Sequence, residues 1–408
     1  MTEERTVIPL LEPREGIPAV VADADSLAGT VAAFASGTGP VAVDAERASG
    51  YRYGNRAYLV QLRRAGAGTA LIDPMGCPDL SALDEAVSGA EIVLHAASQD
   101  LPCLLEVGFR PRSMFDTELA GRLLGYERVG LGTMVETVLG LRLEKGHSAA
   151  DWSTRPLPED WLRYAALDVE VLVELRDVLH AELSESGKLE WAREEFAAVL
   201  NTPPPMPRSD PWRRTSGIHK VRNTRALAIV RELWTMRDRI ARESDLAPGR
   251  VLPDSAIVSA ALEVPRTKKA LTEITAFTGR SARRHMSDWL AAVSRARGLP
   301  ESQLPQPSTP GDGPPPANRW ADRDPAAAKR LAAARAVVAA LADEHRMPTE
   351  NLLQPDAVRR LTWEPPEEIT DESVTARLRK LGAREWQLSL TVRPLAKALA
   401  RLEAKGEL

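Results

Sequence analysis

Proline divides this chain before any element is assigned. NTPPPMPRSDPWRRTSG at 201–217 and the run over 298–320, which opens GLPESQLPQPSTPGDGPPPA, concentrate residues that lack a backbone donor and hold φ at about −65°. Neither stretch can continue a helix or join a sheet, so both are expected to be linkers. They separate units at 1–200, 218–297 and 321–408. Each is long enough to enclose a core, although surface-to-volume scaling makes the two smaller ones modest in stability.

This division changes the meaning of the charge. The 408 residues carry a formal net charge of −4. However, 18 Lys and Arg face 32 Asp and Glu in residues 1–200, 18 face 8 in 211–300, and 16 face 16 in 301–408. An acidic first unit fits a site that gathers carboxylates around metal ions, and the basic middle unit has the sign of a surface that meets a phosphate backbone. Either balance also fits a face that is merely solvated.

Two cysteines, Cys77 and Cys103, sit in no CxxC or Cys/His pattern, which excludes a disulfide framework and a structural zinc and suits a reducing compartment. The opening MTEERTVIPLLEPREG carries acids and prolines where a secretory signal needs an unbroken apolar run. No later segment reaches the roughly 20 apolar residues of a membrane span. A cytoplasmic protein with no membrane partner is expected.

Periodicity gives the first unit an α/β pattern. PVAVDAE at 40–46, AYLVQLRR at 57–64 and TALIDP at 69–74 predict three strands in an antiparallel group. Strand and helix then alternate through 80–89 (helix), 91–97 (strand) and 100–108 (helix). Helices are predicted over 117–125, 131–139 and, as one long element, 158–186. The middle unit reads as helical at 223–243, 265–274 and 281–293, and the last at 324–345 and 392–405. The second and third units share a plan: a long first helix, a polar turn, then a segment with proline.

Three carboxylate elements carry chemistry. On a strand over 41–46 the period of two puts Asp44 and Glu46 on one face, within reach of a shared cation. HAASQDL at 95–101 leaves a strand and opens a helix, which places Asp100 near the C-terminal edge of the sheet, where α/β proteins assemble ligands. In YAALD at 164–168, Tyr164 and Asp168 lie four apart on one helix face and present a phenol and a carboxylate together. His95 is a candidate substrate contact but more simply a structural histidine. Asp116 is assigned to helix capping, and its DxE spacing with Glu118 is a decoy, because residues two apart diverge on a helix.

Taken together, Asp44, Glu46, Asp100, Tyr164 and Asp168 resemble the DEDDy exonuclease signature, and the surrounding sequence resembles the ribonuclease D family. The segments VDAE, LVQL, HAASQDL, FDTELAGRLLGY, KGHSAADWSTRPL and YAALDV occur in that family's order. The resemblance implies a ribonuclease H-like, mixed-sheet exonuclease domain with its core over 20–190. It implies that the basic unit at 218–297, with RDRIARESDLAPGRVLPD, is an HRDC domain, and that 321–408 is a second, divergent HRDC-like domain. It also implies two divalent cations, Mg²⁺ or Mn²⁺. Asp44 would bridge them, Glu46 and Asp168 would complete the nucleophile side, Asp100 would serve the leaving-group side, and Tyr164 would orient the attacking water. Departures are Ala45 where Thr is commoner, Gln99 where an acid is common, and Ser148 and Ala150 in the loop that keeps Lys145, Asp151 and Trp152.

The expected function is a 3′→5′ exoribonuclease that releases nucleoside 5′-monophosphates from RNA with an unpaired 3′ end, tRNA precursors above all, and works as a monomer. A 3′→5′ DNA exonuclease in repair and a non-catalytic RNA-binding adaptor are the alternatives. Retention of all four carboxylates with Tyr164 weighs against the adaptor.

Overall fold

A computed structural model describes residues 7–144, 146–203, 206, 208–307 and 313–404. The first unit is built on a mixed six-stranded sheet, as expected. Its strands are β2 (Val20–Val21), β3 (Thr38–Arg47), β4 (Ala57–Ala65), β5 (Gly68–Ile72), β6 (Ile92–Leu94) and β7 (Met114–Asp116), in the order β2-β5-β4-β3-β6-β7. β3, β4 and β5 are antiparallel neighbours, and β2, β6 and β7 join in parallel. A separate parallel pair, β1 (Ile8–Leu10) with β8 (Leu141–Leu143), ties the start of the described chain to the end of this alternation.

β3 lies inside the sheet, and its apolar run explains why. Val41, Ala42 and Val43 are all fully buried, the pattern of a strand covered on both faces. Helices α1 (Ala24–Ser36), α2 (Ser81–Ala86), α3 (Leu101–Glu106), α4 (Thr117–Leu124) and α5 (Leu131–Met134) precede α6 (Glu159–Glu170), α7 (Leu172–Glu185) and α8 (Leu189–Leu200). α6 packs across β3, β4 and β5, and α7 packs against β3 and β6.

The single helix predicted over 158–186 is two helices, broken at Val171. Val169, Val171 and Val173 crowd three β-branched side chains into this stretch, which weakens the helix locally and lets packing decide its course. The predicted helix over 131–139 passes from α5 into a π-helical turn at Val135–Leu139.

The remaining units are helical. α9 (Thr224–Glu243) is followed by Pro248–Val251, Asp254–Glu263, Lys268–Glu273, Arg280–Arg284 and Met286–Gly298. The helix predicted at 281–293 is therefore interrupted at His285, and Asp254–Glu263 was not foreseen. In the last unit Pro325–Glu344, Thr349–Leu352, Pro355–Trp363, Asp371–Lys380 and Glu385–Ala404 follow in turn, the final helix starting earlier than periodicity indicated.

The shared plan extends to the backbone. Thr224–Glu243 and Pro325–Glu344 are both 20 residues long. Asp245 and Arg346 both turn into the left-handed region, at φ 48° and 50°. Leu252 and Leu353 then end one-turn helices at φ −154° each.

The proline-rich joints are more ordered at their ends than their composition implies. Trp212 and Trp320 are buried, the first in the middle unit and the second in the last, and indoles of that size gain too much from burial to remain in an exposed linker. The last unit docks on α8, where Trp191 and Trp386 stack with centroids 5.0 Å apart and planes 13° apart.

Candidate active site

β3 and α6 bring the carboxylates together. Asp44 and Glu46 project from one face of β3, and α6 crosses that strand carrying Asp168. One carboxylate oxygen from each of Asp44, Glu46 and Asp168 lies within 4.8 Å of the other two. Tyr164 stands one turn before Asp168 and is hydrogen-bonded to it. The Tyr164 ring is set by the loop before α6: the His147 ring meets it edge-on at 5.8 Å, and Trp152, fully buried, lies 6.4 Å away. Lys145 of that loop lies outside the described residues.

Asp100, at the start of α3, lies close enough to Asp44 for the two charges to repel. Its placement depends on Asp116. That carboxylate accepts from the backbone of Glu118 and Leu119, the helix cap expected from sequence, and also from Ala96 and Ala97 at 3.1 and 2.9 Å. These latter bonds hold Ala96 in the left-handed conformation at φ 60°, an unfavourable state for a residue with a Cβ. They thereby direct the chain through Asp100 into α3.

His95 is not at the reacting centre. Its Nδ1 pairs with the Thr117 hydroxyl at 2.8 Å, and burial lowers its pKa to about 4, so the ring is neutral and structural.

The electrostatics of the cluster favour a cation. Burial, then repulsion from Asp44, Asp168 and Asp100, pushes Glu46 up to about 10. Burial and then Asp44 raise Asp100 to about 8. Asp44 and Asp168 are raised by burial as well, although both keep an opening to solvent. Concentrated positive charge would return all four to their ionised form. An all-oxygen, all-anionic donor set fits hard divalent ions such as Mg²⁺ and Mn²⁺ and none of the softer thiolate-seeking metals.

Two residues passed over in the sequence complete the surroundings. Gln61, opposite Asp44 on β4, is fully buried and donates from Nε2 to Asp44 Oδ2 at 2.8 Å. The strand register would have revealed it. Arg47 reaches Asp100 Oδ1 at 3.3 Å and donates to the Gln99 carbonyl at 2.7 Å.

This arrangement matches known proteins along the chain. Residues 18–184 match a family model described as 3′-5′ exonuclease, residues 226–293 match the HRDC domain, and residues 313–399 match a 3′ to 5′ exonuclease C-terminal domain. A protein named ribonuclease D from Gluconacetobacter diazotrophicus is 30% identical over 339 residues, 81% of this chain and 82% of the relative. The chain belongs to the ribonuclease D family.

Among solved structures, a protein from Bifidobacterium adolescentis superposes with a TM-score of 0.90 at 39% identity, covering 97% of this chain and 100% of that one. Escherichia coli RNase D, described as an exoribonuclease involved in structured RNA processing, superposes at 0.68 with 28% identity over 94% of this chain and 98% of its own. Members of the ribonuclease D family are hydrolytic 3′→5′ exoribonucleases that use divalent metal, and the HRDC domain is a nucleic-acid-binding unit. No helix of the described residues is long and apolar enough to cross a membrane.

Proposed function

We propose that this chain trims the unpaired 3′ ends of structured RNA, tRNA precursors among them, to nucleoside 5′-monophosphates, working as a cytoplasmic monomer with Asp44, Glu46, Asp100, Asp168 and Tyr164 as its reacting residues. The observation that carries this reading is the convergence of Asp44, Glu46 and Asp168 within 4.8 Å, with Tyr164 one helical turn from Asp168.

Asp44, Glu46 and Asp168 would hold one divalent ion, and Asp44 with Asp100 a second; Mg²⁺ and Mn²⁺ both suit these oxygens. Such ions, when bound, supply positive charge at the entering and leaving oxygens of a phosphodiester and make water a usable nucleophile near neutral pH. The protein's part is positional. Tyr164, its pKa raised by burial and then by Asp168, stays a neutral hydrogen-bonding phenol that holds the attacking water in line rather than a base that deprotonates it.

The basic unit at 218–297 would hold the RNA backbone. One of its grooves, about 360 Å³, is lined by Arg266, Lys268 and Arg297 with the hydroxyls of Ser287 and Ser294 and by no acid. Such a surface grips phosphates without reading bases.

The test is a 3′-labelled RNA incubated with purified protein and Mg²⁺ or Mn²⁺, against a chelator control and a matched DNA strand. Immediate release of the terminal label from RNA, abolished by chelator and by Asp44→Ala with RNA binding retained, is the expected result. A label that survives at saturating protein sinks the reading, and equal or faster release from DNA redirects it to DNA.

A further inference from the structure

Asp100 stands apart from the other three carboxylates. Asp44, Glu46 and Asp168 converge on one point, whereas Asp100 faces a guanidinium. Arg47 is the last residue of β3, where the register against β4 shifts: Glu46 lies opposite Leu59, but Arg47 lies opposite Ala57. Regular alternation would send the Arg47 side chain to the face opposite Glu46. At this irregular strand end it reaches the start of α3 instead.

The guanidinium is held at two points, by a hydrogen bond to the Gln99 carbonyl at 2.7 Å and by an ion-pair contact with Asp100 Oδ1 at 3.3 Å. The Asp100 side chain is only 6% exposed, while that of Arg47 is 28% exposed. One end of the contact is therefore inside the protein and the other is partly open to solvent. A guanidinium placed in this way does to Asp100 what a divalent ion would do there, and both cannot take the same oxygen.

We propose that Arg47 is a resident counter-ion on the leaving-group side of the cleft, a positioning residue that holds Asp100 until a second divalent ion and the RNA arrive together. This rests on the assignment of Asp100 to the second ion made above. The charges favour such an order. Four carboxylates with one guanidinium and one dication nearly balance, and a second dication would have to enter beside a positive charge already in place. An RNA phosphate changes that, because it offers the displaced guanidinium a partner of the geometry arginine suits. Two-ion occupancy then depends on substrate, and the empty enzyme carries one ion.

The measurement is Mn²⁺ binding to the full-length protein without RNA, followed by calorimetry and by the spin-resonance signal of free Mn²⁺. The wild type should bind one ion per chain tightly and a second weakly. Arg47→Met, close in length and uncharged, should tighten the second at least tenfold, and Arg47→Lys should stay within about threefold of the wild type. Thermal melting checks folding, and if Arg47→Met is unfolded, Arg47→Gln takes its place because it keeps a donor for the Gln99 carbonyl.

Asp100→Asn separates the two layers of argument. If it removes the second ion while neutralising Arg47 leaves that ion's affinity within twofold of wild type, the counter-ion role is wrong and the site assignment stands. If Asp100→Asn leaves both ions bound, the assignment of Asp100 is itself wrong, and the role of Arg47 goes with it.

Discussion

Gln61 and Asp44 are direct cross-strand partners, and the Gln61 amide donates to Asp44 Oδ2 at 2.8 Å from a fully buried position. The bond holds one oxygen of the carboxylate nearest the centre of the cluster and fixes the orientation of the other. Leucine at 61 has nearly the same volume and no donor. Gln61→Leu should lower kcat by about 10- to 100-fold and weaken metal binding, with the KM for RNA almost unchanged. Steady-state kinetics beside a metal titration would show this, and an unaltered kcat would mean that the amide serves packing alone.

Tyr164 makes a cleaner separation between chemistry and metal binding. Its hydroxyl meets Asp168 but contributes no carboxylate to the cluster. Tyr164→Phe should retain the ring contacts with His147 and Trp152, bind metal like the wild type, and lose about 100-fold in kcat. A parallel loss of metal affinity would instead assign the hydroxyl to holding Asp168.

Without divalent ions the stability these groups supply should fall as pH rises above about 4, gently while His95 offsets part of the loss and more steeply above about 6.5. Glu46 stays protonated in the folded state up to about 10 and Asp100 up to about 8, whereas both ionise near pH 4 in the unfolded chain. Between those values the unfolded state binds fewer protons, so stability falls as pH rises. His95 acts from the other side. Its folded pKa of about 4 lies below the unfolded value of 6.5, so its contribution, up to about 3 kcal/mol, is present above 6.5 and lost as pH falls toward 4. Thermal melts in chelator should therefore decline from pH 6 toward 9, and Mg²⁺ should remove most of that alkaline decline. Melting temperatures that stay level in chelator from pH 6 to 9 would contradict the raised carboxylates.

These residues also mark where the sequence was readable. Asp44 with Glu46, and Tyr164 with Asp168, are local patterns, two apart on a strand and four apart on a helix; the spacing puts each pair on one face, and it is the order of all five residues along the chain that singles them out from solvated acids and a core tyrosine. Asp100 was placed at the right edge of the sheet, but what positions it, the four backbone donors on Asp116 and the left-handed Ala96, has no local signature. Arg47 was missed because a register shift redirects its side chain. The docking of the last unit through Trp191 and Trp386 joins residues far apart in the chain, and the alanine-rich helix nearby carried too little periodicity to announce it.

The loop between β3 and β4 links the carboxylate strand to the basic unit, and this connection predicts how RNA length should affect turnover. Tyr53 donates to Asp238 at 3.0 Å, Arg56 pairs with Asp245 at 3.0 Å, and the Ala247 amide donates to the Tyr51 carbonyl at 2.9 Å. The exposed ion pair is worth little by itself in salt. Arg250 does more: it donates to the Gly50 carbonyl at 2.7 Å and lies 4.0 Å over the Tyr51 ring, so Arg250→Ala removes a hydrogen bond and a cation–π contact at once. Loosening this joint should leave the carboxylates where β3 and α6 hold them but free the basic unit, proposed above to hold the RNA backbone, to shift relative to them. On an RNA of two or three nucleotides, too short to reach both units, kcat/KM should stay within about twofold of wild type. On an RNA long enough to span them, KM should rise about tenfold, because the second contact no longer acts at high effective concentration. An equal loss on both lengths would instead mean that the loop supports the catalytic strand itself.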